Sequence, residues 1–164
     1  MKKVLLLLTV VCGLSISSFA QSRNQGHFSI GFEAGLPVGD AADFYSAVLG
    51  GSLKYDLPIA KSTYFNVSAG YNSFIIKDKF KPVFGSYGAV PLKAGIKYFA
   101  DQRFFVEGQL GAAFSTESGG GTAFVYAPGV GYAFDGGFEA GLRYEAWSNN
   151  GTVGQLGLRL AVNF

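Results

Sequence analysis

From about residue 27 onward, apolar and polar side chains alternate along segments of roughly ten residues. An alternation with a period of two places successive side chains on opposite faces of a β-strand. In the last segment, one face carries Leu156, Leu158, Leu160, Val162 and Phe164, and the other carries Gln155, Gly157, Arg159, Ala161 and Asn163. Each such segment therefore predicts a ribbon with one oily side and one polar side.

Eight segments show this alternation, and turn-rich sequence separates them. The predicted strands are 27–36, 46–57, 63–75, 87–99, 103–115, 122–134, 137–147 and 153–164. The second, fourth and sixth links are the tight ones, and Asp135-Gly136 is a strong signal for a two-residue hairpin. Short turns on one side and longer loops on the other are typical of outer-membrane barrels, whose strands need about 9–11 residues. We therefore predict an all-β fold, an eight-stranded antiparallel up-and-down transmembrane β-barrel.

All charges inside the predicted strands fall on the polar face. They are Glu33, Lys54, Asp56, Lys93, Lys97, Glu107, Glu139, Arg143, Glu145 and Arg159. A charge-free face suits lipid, and five acids with five bases suit a narrow interior in which unpaired ions would be very costly. A register slip by one residue would turn the five bases toward lipid, which costs about 2–4 kcal/mol each and on the order of 10–20 kcal/mol as an upper bound. The ten residues are predicted to form an interior charge network.

The first twenty residues are expected to be a signal peptide, cleaved after Ala20, with the barrel domain spanning 21–164. Lys2 and Lys3 precede the apolar run 4–11, and 18–20 has small residues where a cleavage site needs them. Cys12 suggests lipoprotein attachment instead, but the large Val11 before it disfavours that alternative. If Cys12 leaves with the signal, the mature chain has no cysteine for disulfides or thiolate chemistry. The predicted location is the bacterial outer membrane.

Charge and aromatic placement agree with a membrane barrel. Without Lys2 and Lys3, eleven basic residues balance eleven acidic ones, and a nucleic-acid binder would be basic. Two aromatic girdles are predicted at the two membrane interfaces. One contains Phe44, Tyr45, Phe74, Tyr87, Phe114, Phe124, Tyr126 and Trp147. The other contains Phe28, Tyr55, Tyr64, Phe65, Tyr98, Phe104, Tyr132, Phe134, Phe138 and Phe164.

Two stretches carry a resemblance to a known family. Val-Pro-Leu-Lys-Ala-Gly-Ile-Lys-Tyr-Phe at 90–99 and Leu-Arg-Leu-Ala-Val-Asn-Phe at 158–164 resemble the small outer-membrane β-barrel domain proteins of Bacteroidota. The resemblance implies that the C-terminal strand ending at Phe164 is recognised by the barrel assembly machinery. Pro91 removes a ladder donor in mid-strand, and we interpret it as a bulge or kink that faces inward.

The sequence predicts no catalytic, cofactor or metal site, and hence no enzyme. Most hydrolytic sites need a histidine base, and the only histidine, His27, lies at a predicted strand start, where it suits a polar barrel rim. The interior acids could form a carboxylate pair, but the equal number of bases favours ion pairing. Gly119-Gly120-Gly121 lacks the Lys-Ser/Thr of a phosphate loop and is interpreted as a flexible outside loop. Lys77, Lys79 and Lys81 form a basic cluster that could contact lipopolysaccharide phosphates, although a solvated loop is the simpler and favoured explanation.

Several functions therefore compete. The leading one is a structural or interaction barrel, expected to be a monomer, with a filled interior and short surface loops. A narrow pore or small-molecule carrier is the alternative, because Ala127, Gly129, Gly131 and Ala133 leave one inner face small. A second alternative is a soluble lipocalin-like carrier, which would turn the oily faces inward and the charges toward water.

Overall fold

The computed structural model describes residues 26–80, 87–117 and 119–164; the predicted signal peptide, Cys12 and Lys81 lie outside them. The strands are β1 (His27–Val38), β2 (Tyr45–Ala60), β3 (Thr63–Ile76), β4 (Tyr87–Phe99), β5 (Phe104–Ser115), β6 (Thr122–Ala133), β7 (Phe138–Ser148) and β8 (Thr152–Asn163). Each strand pairs antiparallel with its neighbour in the chain, and β1 pairs with β8 to close the barrel. The predicted eight-stranded up-and-down barrel is confirmed.

The two faces of the strands point as predicted. Ile30, Leu110 and Leu142 are more than half exposed on the outer surface. By contrast, Lys97 and Glu145 are fully buried inside the barrel. The soluble lipocalin-like alternative requires the opposite arrangement and is therefore wrong.

The links differ in length at the two ends of the barrel. One end, which we call the short-turn end, has the links 61–62, 100–103 and 134–137. The other, which we call the loop end, has the links 39–44, 77–86, 116–121 and 149–151. The loop end also carries a one-turn helix α1 (Ala41–Phe44) and a 3-10 turn (Asp78–Phe80), neither of which the sequence predicted. In the described part of the chain, no helix is long and apolar enough to cross a membrane.

The link between β6 and β7 is longer than the predicted two-residue hairpin. The amide of Phe134 donates to the carbonyl of Phe138 at 2.8 Å, so three residues lie between the closing pair. Gly136 and Gly137 both have positive φ, at 83° and 82°. Because two consecutive glycines can adopt this left-handed backbone at little cost, the turn includes Gly137 as well as Asp135-Gly136.

The predicted bulge at Pro91 is wrong, although the side chain does face inward. The pairing between β3 and β4 is interrupted between the pairs Ala69↔Leu92 and Asn72↔Ala89. The register is the same on both sides of this gap, so neither strand contains an extra residue. The missing proline amide therefore interrupts the ladder locally without adding a residue. The register shifts lie instead between β2 and β3, at Tyr45/Ala47 and at Pro58/Ala60.

Candidate functional site

The barrel interior contains all ten strand charges named in the sequence analysis. Eight of them are buried, and Glu107 and Arg143 are half-buried. Long side chains lie beside very small ones on the neighbouring strands: Lys93 is flanked by Ser68 and Gly111, and Arg143 by Gly129 and Gly157. An eight-stranded barrel is just wide enough for side chains to fill, so small neighbours make room for these two long side chains. Lys97 differs, because its neighbours on the adjacent strands are Tyr64 and Glu107.

The charges nearer the short-turn end form one cluster, which we call the lower cluster. It contains Asp56, Glu107, Glu139, Lys54 and Lys97. The Lys97 ammonium lies 2.7 Å from Asp56 and 2.8 Å from Glu139, and Lys54 lies 2.8 Å from Glu107. Lys54 is also 3.8 Å from Asp56 and 3.7 Å from Glu139, so both lysines serve the same acids. The cluster is thus a shared network rather than a set of isolated pairs.

The remaining charges form an upper cluster nearer the loop end. It contains Glu33, Glu145, Lys93, Arg143 and Arg159. Arg143 bridges the two acids, at 2.6 Å from Glu33 and 2.9 Å from Glu145, and Lys93 lies 2.5 Å from Glu145. Arg159 lies 3.8 Å from Glu33. Burial of these ions is tolerable because each has an oppositely charged partner.

His27 lies at the rim of the lower cluster, with its Nε2 3.4 Å from Asp56 Oδ2. Together with Glu139 these residues place three potential metal-ligand atoms within 4.8 Å of one another. The Lys97 ammonium, however, already binds the same two carboxylates. A cation bound there would have to displace a buried lysine, so the arrangement is a salt-bridge network and does not favour a metal.

An aromatic layer closes the interior at the short-turn end. Tyr64 is buried, and its ring packs edge-on against His27 and Phe99 at centroid distances of 6.0 and 5.7 Å. Phe99 in turn packs against the buried Phe105 at 5.5 Å. The Lys97 ammonium lies 4.6 Å from the Phe105 ring centroid, a cation–π distance that joins this layer to the lower cluster.

An apolar plug closes the interior at the loop end. Its buried members are Val48, Phe74, Ala89, Ala113, Val125 and Trp147. Phe74 and Trp147 pack nearly perpendicular at 4.9 Å, and the Trp147 indole N–H donates to Glu145 at 2.8 Å. The plug is therefore fastened to the upper cluster by a hydrogen bond to a buried carboxylate.

The predicted girdles need five corrections. Phe74, Trp147 and Tyr64 point inward, and Tyr45 and Tyr87 pack against Phe74 and the plug instead of facing lipid. Trp147 lies two residues after the buried Glu145 in β7, so both side chains are on the same face of the strand. Tyr64 and Phe74 are likewise separated from the buried Asn66 in β3 by an even number of residues. An aromatic residue at an inner position must face the interior, whatever its height along the barrel. The alternation pattern alone contained this information.

Above the plug, the loop end opens into a cavity of about 750 Å³, which we call the cup. Tyr45, Phe74, Tyr87 and Trp147 lie at its base, and Asp40 and Glu117 lie along its wall. Two voids within the charge network are far smaller, at about 30 Å³ beside Gly129 and about 10 Å³ beside Gly157. Each of these two small voids holds a few water molecules at most.

Two lysines of the basic cluster, Lys77 and Lys79, lie at the loop end. Lys77 is half-buried and its amide donates to the carbonyl of Phe44 at 3.0 Å, whereas Lys79 is exposed. Lys81 lies outside the described residues. The glycines at 119–121 form part of a turn in which the amide of Gly120 donates to the carbonyl of Glu117 at 3.0 Å.

Solved structures share this architecture at low sequence identity. The outer-membrane protein Ail of Yersinia pestis is 19% identical, with a TM-score of 0.61 over 87% of this chain and 100% of its own. The N-terminal barrel domain of Pseudomonas aeruginosa OprF is 14% identical, with a TM-score of 0.61 over 85% and 98%. The outer-membrane enzyme PagL is 16% identical, with a TM-score of 0.58 over 82% and 98%.

No protein-family description matches the chain, and no curated protein is significantly similar to it. At these identities the likeness concerns the fold alone. Because an enzyme shares that fold with the other two barrels, the fold does not by itself decide between catalytic and non-catalytic roles. The chain has the architecture of the eight-stranded outer-membrane β-barrels.

Proposed function

We propose that this chain is a non-catalytic outer-membrane barrel that acts through its lipid-facing surface and its loops rather than by transport. The observation that carries the proposal is the filled interior. The aromatic layer of Tyr64, Phe99 and Phe105, the two charge clusters and the plug follow one another along the barrel axis. The two voids described among the charges, beside Gly129 and Gly157, have volumes of only about 30 and 10 Å³.

The bacterial outer membrane is the proposed location, with the short-turn end in the periplasm and the loop end outside. The charge-free outer face of the strands supports this location, because an unpaired ion in hydrocarbon costs a large free energy. Export by residues 1–20, with cleavage after Ala20, is part of the proposal.

Assembly by the barrel machinery through the C-terminal strand, as a monomer, is proposed as well. The backbones of Phe28 and Phe164 exchange hydrogen bonds of 3.1 and 2.8 Å, so the last residue completes the seam between β1 and β8. Deleting Phe164 should therefore impair barrel formation. The Bacteroidota-type affiliation rests on the stretches 90–99 and 158–164.

A bilayer recording tests the closed interior. The purified barrel should give no stable ionic current in a planar bilayer. The folded F74A/W147A variant, which lacks the two largest plug side chains, tests whether the plug contributes to closure. A steady, reproducible conductance from the parent protein would reject the proposal and favour a narrow pore, for which the small inner face of β6 (Ala127, Gly129, Gly131 and Ala133) provides the space.

Contact with lipopolysaccharide is the proposed role of Lys77, Lys79 and Lys81. Lys77 and Lys79 at the loop end, with Lys81 following two residues later in the sequence, would give a basic segment toward the phosphate layer of the outer leaflet, with Asp78 as the nearby opposing charge in the sequence. Affinity for lipopolysaccharide is expected to fall in K77S/K79S/K81S. The K61S/R103S variant, which removes two bases at the short-turn end, is the control. Equal affinity of the parent and the triple variant would exclude this role.

A further inference from the structure

The cup at the loop end combines an aromatic base with an acidic wall. We propose that it binds an organic cation, specifically an ammonium group attached to an apolar or aromatic body. The described lysines of the basic cluster, Lys77 and Lys79, do not line the cup, which lies above the filled interior. The argument rests on the base, the wall and the size of the cup.

The base of the cup is a packed set of four rings. Phe74 lies at the centre, and its centroid is 5.3 Å from Tyr45, 5.7 Å from Tyr87 and 4.9 Å from Trp147. Phe74 is only 1% exposed and supports the others, whereas Tyr45 and Tyr87 are half-buried and line the cup. Exposed aromatic rings attract cations through their electron-rich faces.

The rings are held in place from below. The indole N–H of Trp147 donates to buried Glu145 at 2.8 Å, and Glu145 is held by Lys93 and Arg143. Trp147 therefore has its hydrogen-bond donor occupied on the interior side. A ligand in the cup meets a fixed, largely apolar base, which reduces the ordering cost of binding.

The wall supplies the charge. Asp40 and Glu117 are exposed and line the cup, and the other described residues that line it are uncharged. Two carboxylates above an apolar base produce a negative potential, and the low-dielectric base reduces its screening. An organic cation would gain binding free energy from both the aromatic base and the acidic wall. A neutral apolar molecule would gain it only from the base, and an anion would be repelled by the wall.

The dimensions suit a small molecule rather than a chain segment. The volume of about 750 Å³ lies within the range of about 300–1,000 Å³ that small-molecule sites occupy. The cup opens at the loop end, so a ligand could enter without passing through the plug. The class of ligand is thus a quaternary or protonated amine with one ring or a short alkyl body.

Trp147 makes the proposal directly testable, because it is the only tryptophan in the chain. The folded barrel in detergent is titrated with benzyltrimethylammonium while Trp147 fluorescence is recorded, and benzenesulfonate serves as the aromatic anion. Saturation-transfer NMR of the same two compounds gives a second readout that does not depend on the tryptophan. We expect saturable binding of the cation in both measurements and none of the anion.

Substitution separates the cup from general surface charge. In D40N/E117Q the affinity for the cation should fall about tenfold, because each partly exposed carboxylate contributes a factor of a few. The control D43N/D101N removes the same number of exposed acids, neither of which lines the cup, and should leave the affinity unchanged. Equal binding of both compounds, an unchanged affinity in D40N/E117Q, or no saturable signal in either measurement would overturn the proposal.

Discussion

Replacement of Lys97 by methionine tests whether the interior charges act as a network. Lys97 is fully buried, and its ammonium contacts Asp56 at 2.7 Å and Glu139 at 2.8 Å. Methionine has a similar length and no charge, so it removes the cation while filling most of the space. The lower cluster then has three acids and one lysine, Lys54.

The expected cost follows from these contacts. Asp56 and Glu139 are 0% and 3% exposed, and after the change their nearest lysine is Lys54, at 3.8 and 3.7 Å. Removal of one partner from a buried ion pair costs about 3–5 kcal/mol, because the other charge remains desolvated. If the free energy of unfolding decreases by about 2 kcal/mol per molar urea, the urea concentration at the midpoint of unfolding should fall by about 2 M.

Urea unfolding of the barrel refolded in lipid vesicles measures this change. K61M, which removes an exposed lysine from the turn between β2 and β3, is the matched control and should cost under about 0.5 kcal/mol. The double variant K97M/E139M should recover at least about 1 kcal/mol, because it also removes one of the two acids that lose their contact with Lys97. If K97M unfolds at the same urea concentration as K61M, the interior is hydrated and the reasoning is wrong.

Three further predictions concern the two faces of the strands. Arginine at the lipid-facing Leu158 should destabilise the barrel by about 2–4 kcal/mol in urea unfolding, with Leu158→Ile as a neutral control. Gly129→Val should cost about 1–3 kcal/mol in the same assay, because its Cβ would lie 2.8 Å from the Arg143 side chain, whereas Gly108→Val, with no atom within 4 Å, should be neutral or stabilising. Trp147, which points inward, should resist quenching by brominated lipids, and a tryptophan placed at the outward Phe124 in a W147F background should be quenched strongly. Strong quenching of Trp147 itself would refute the plug.

Much of the architecture could be predicted from the sequence because a period of two has a direct geometric meaning. A strand residue must face either lipid or the interior, so Leu158 and Arg159 could be assigned to opposite faces without coordinates. The inward aromatics followed from the same parity, although the sequence analysis placed Phe74, Tyr64 and Trp147 by their height along the strand. The links were less predictable, since the backbone of Gly137 and the continuation of β2 through Pro58 depend on local geometry.

The sequence by itself determined the number of strands, the oily outer face and the balance of interior charge, since these depend only on residue type and position along each strand. Only the tertiary structure decided which ions meet. Arg143 and Glu33 are 110 residues apart in the chain and 2.6 Å apart in space, because barrel closure and register set their heights and angles. The cup was likewise invisible in the sequence, because Asp40, Tyr87, Glu117 and Trp147 belong to separate elements that closure of the cylinder brings around one opening.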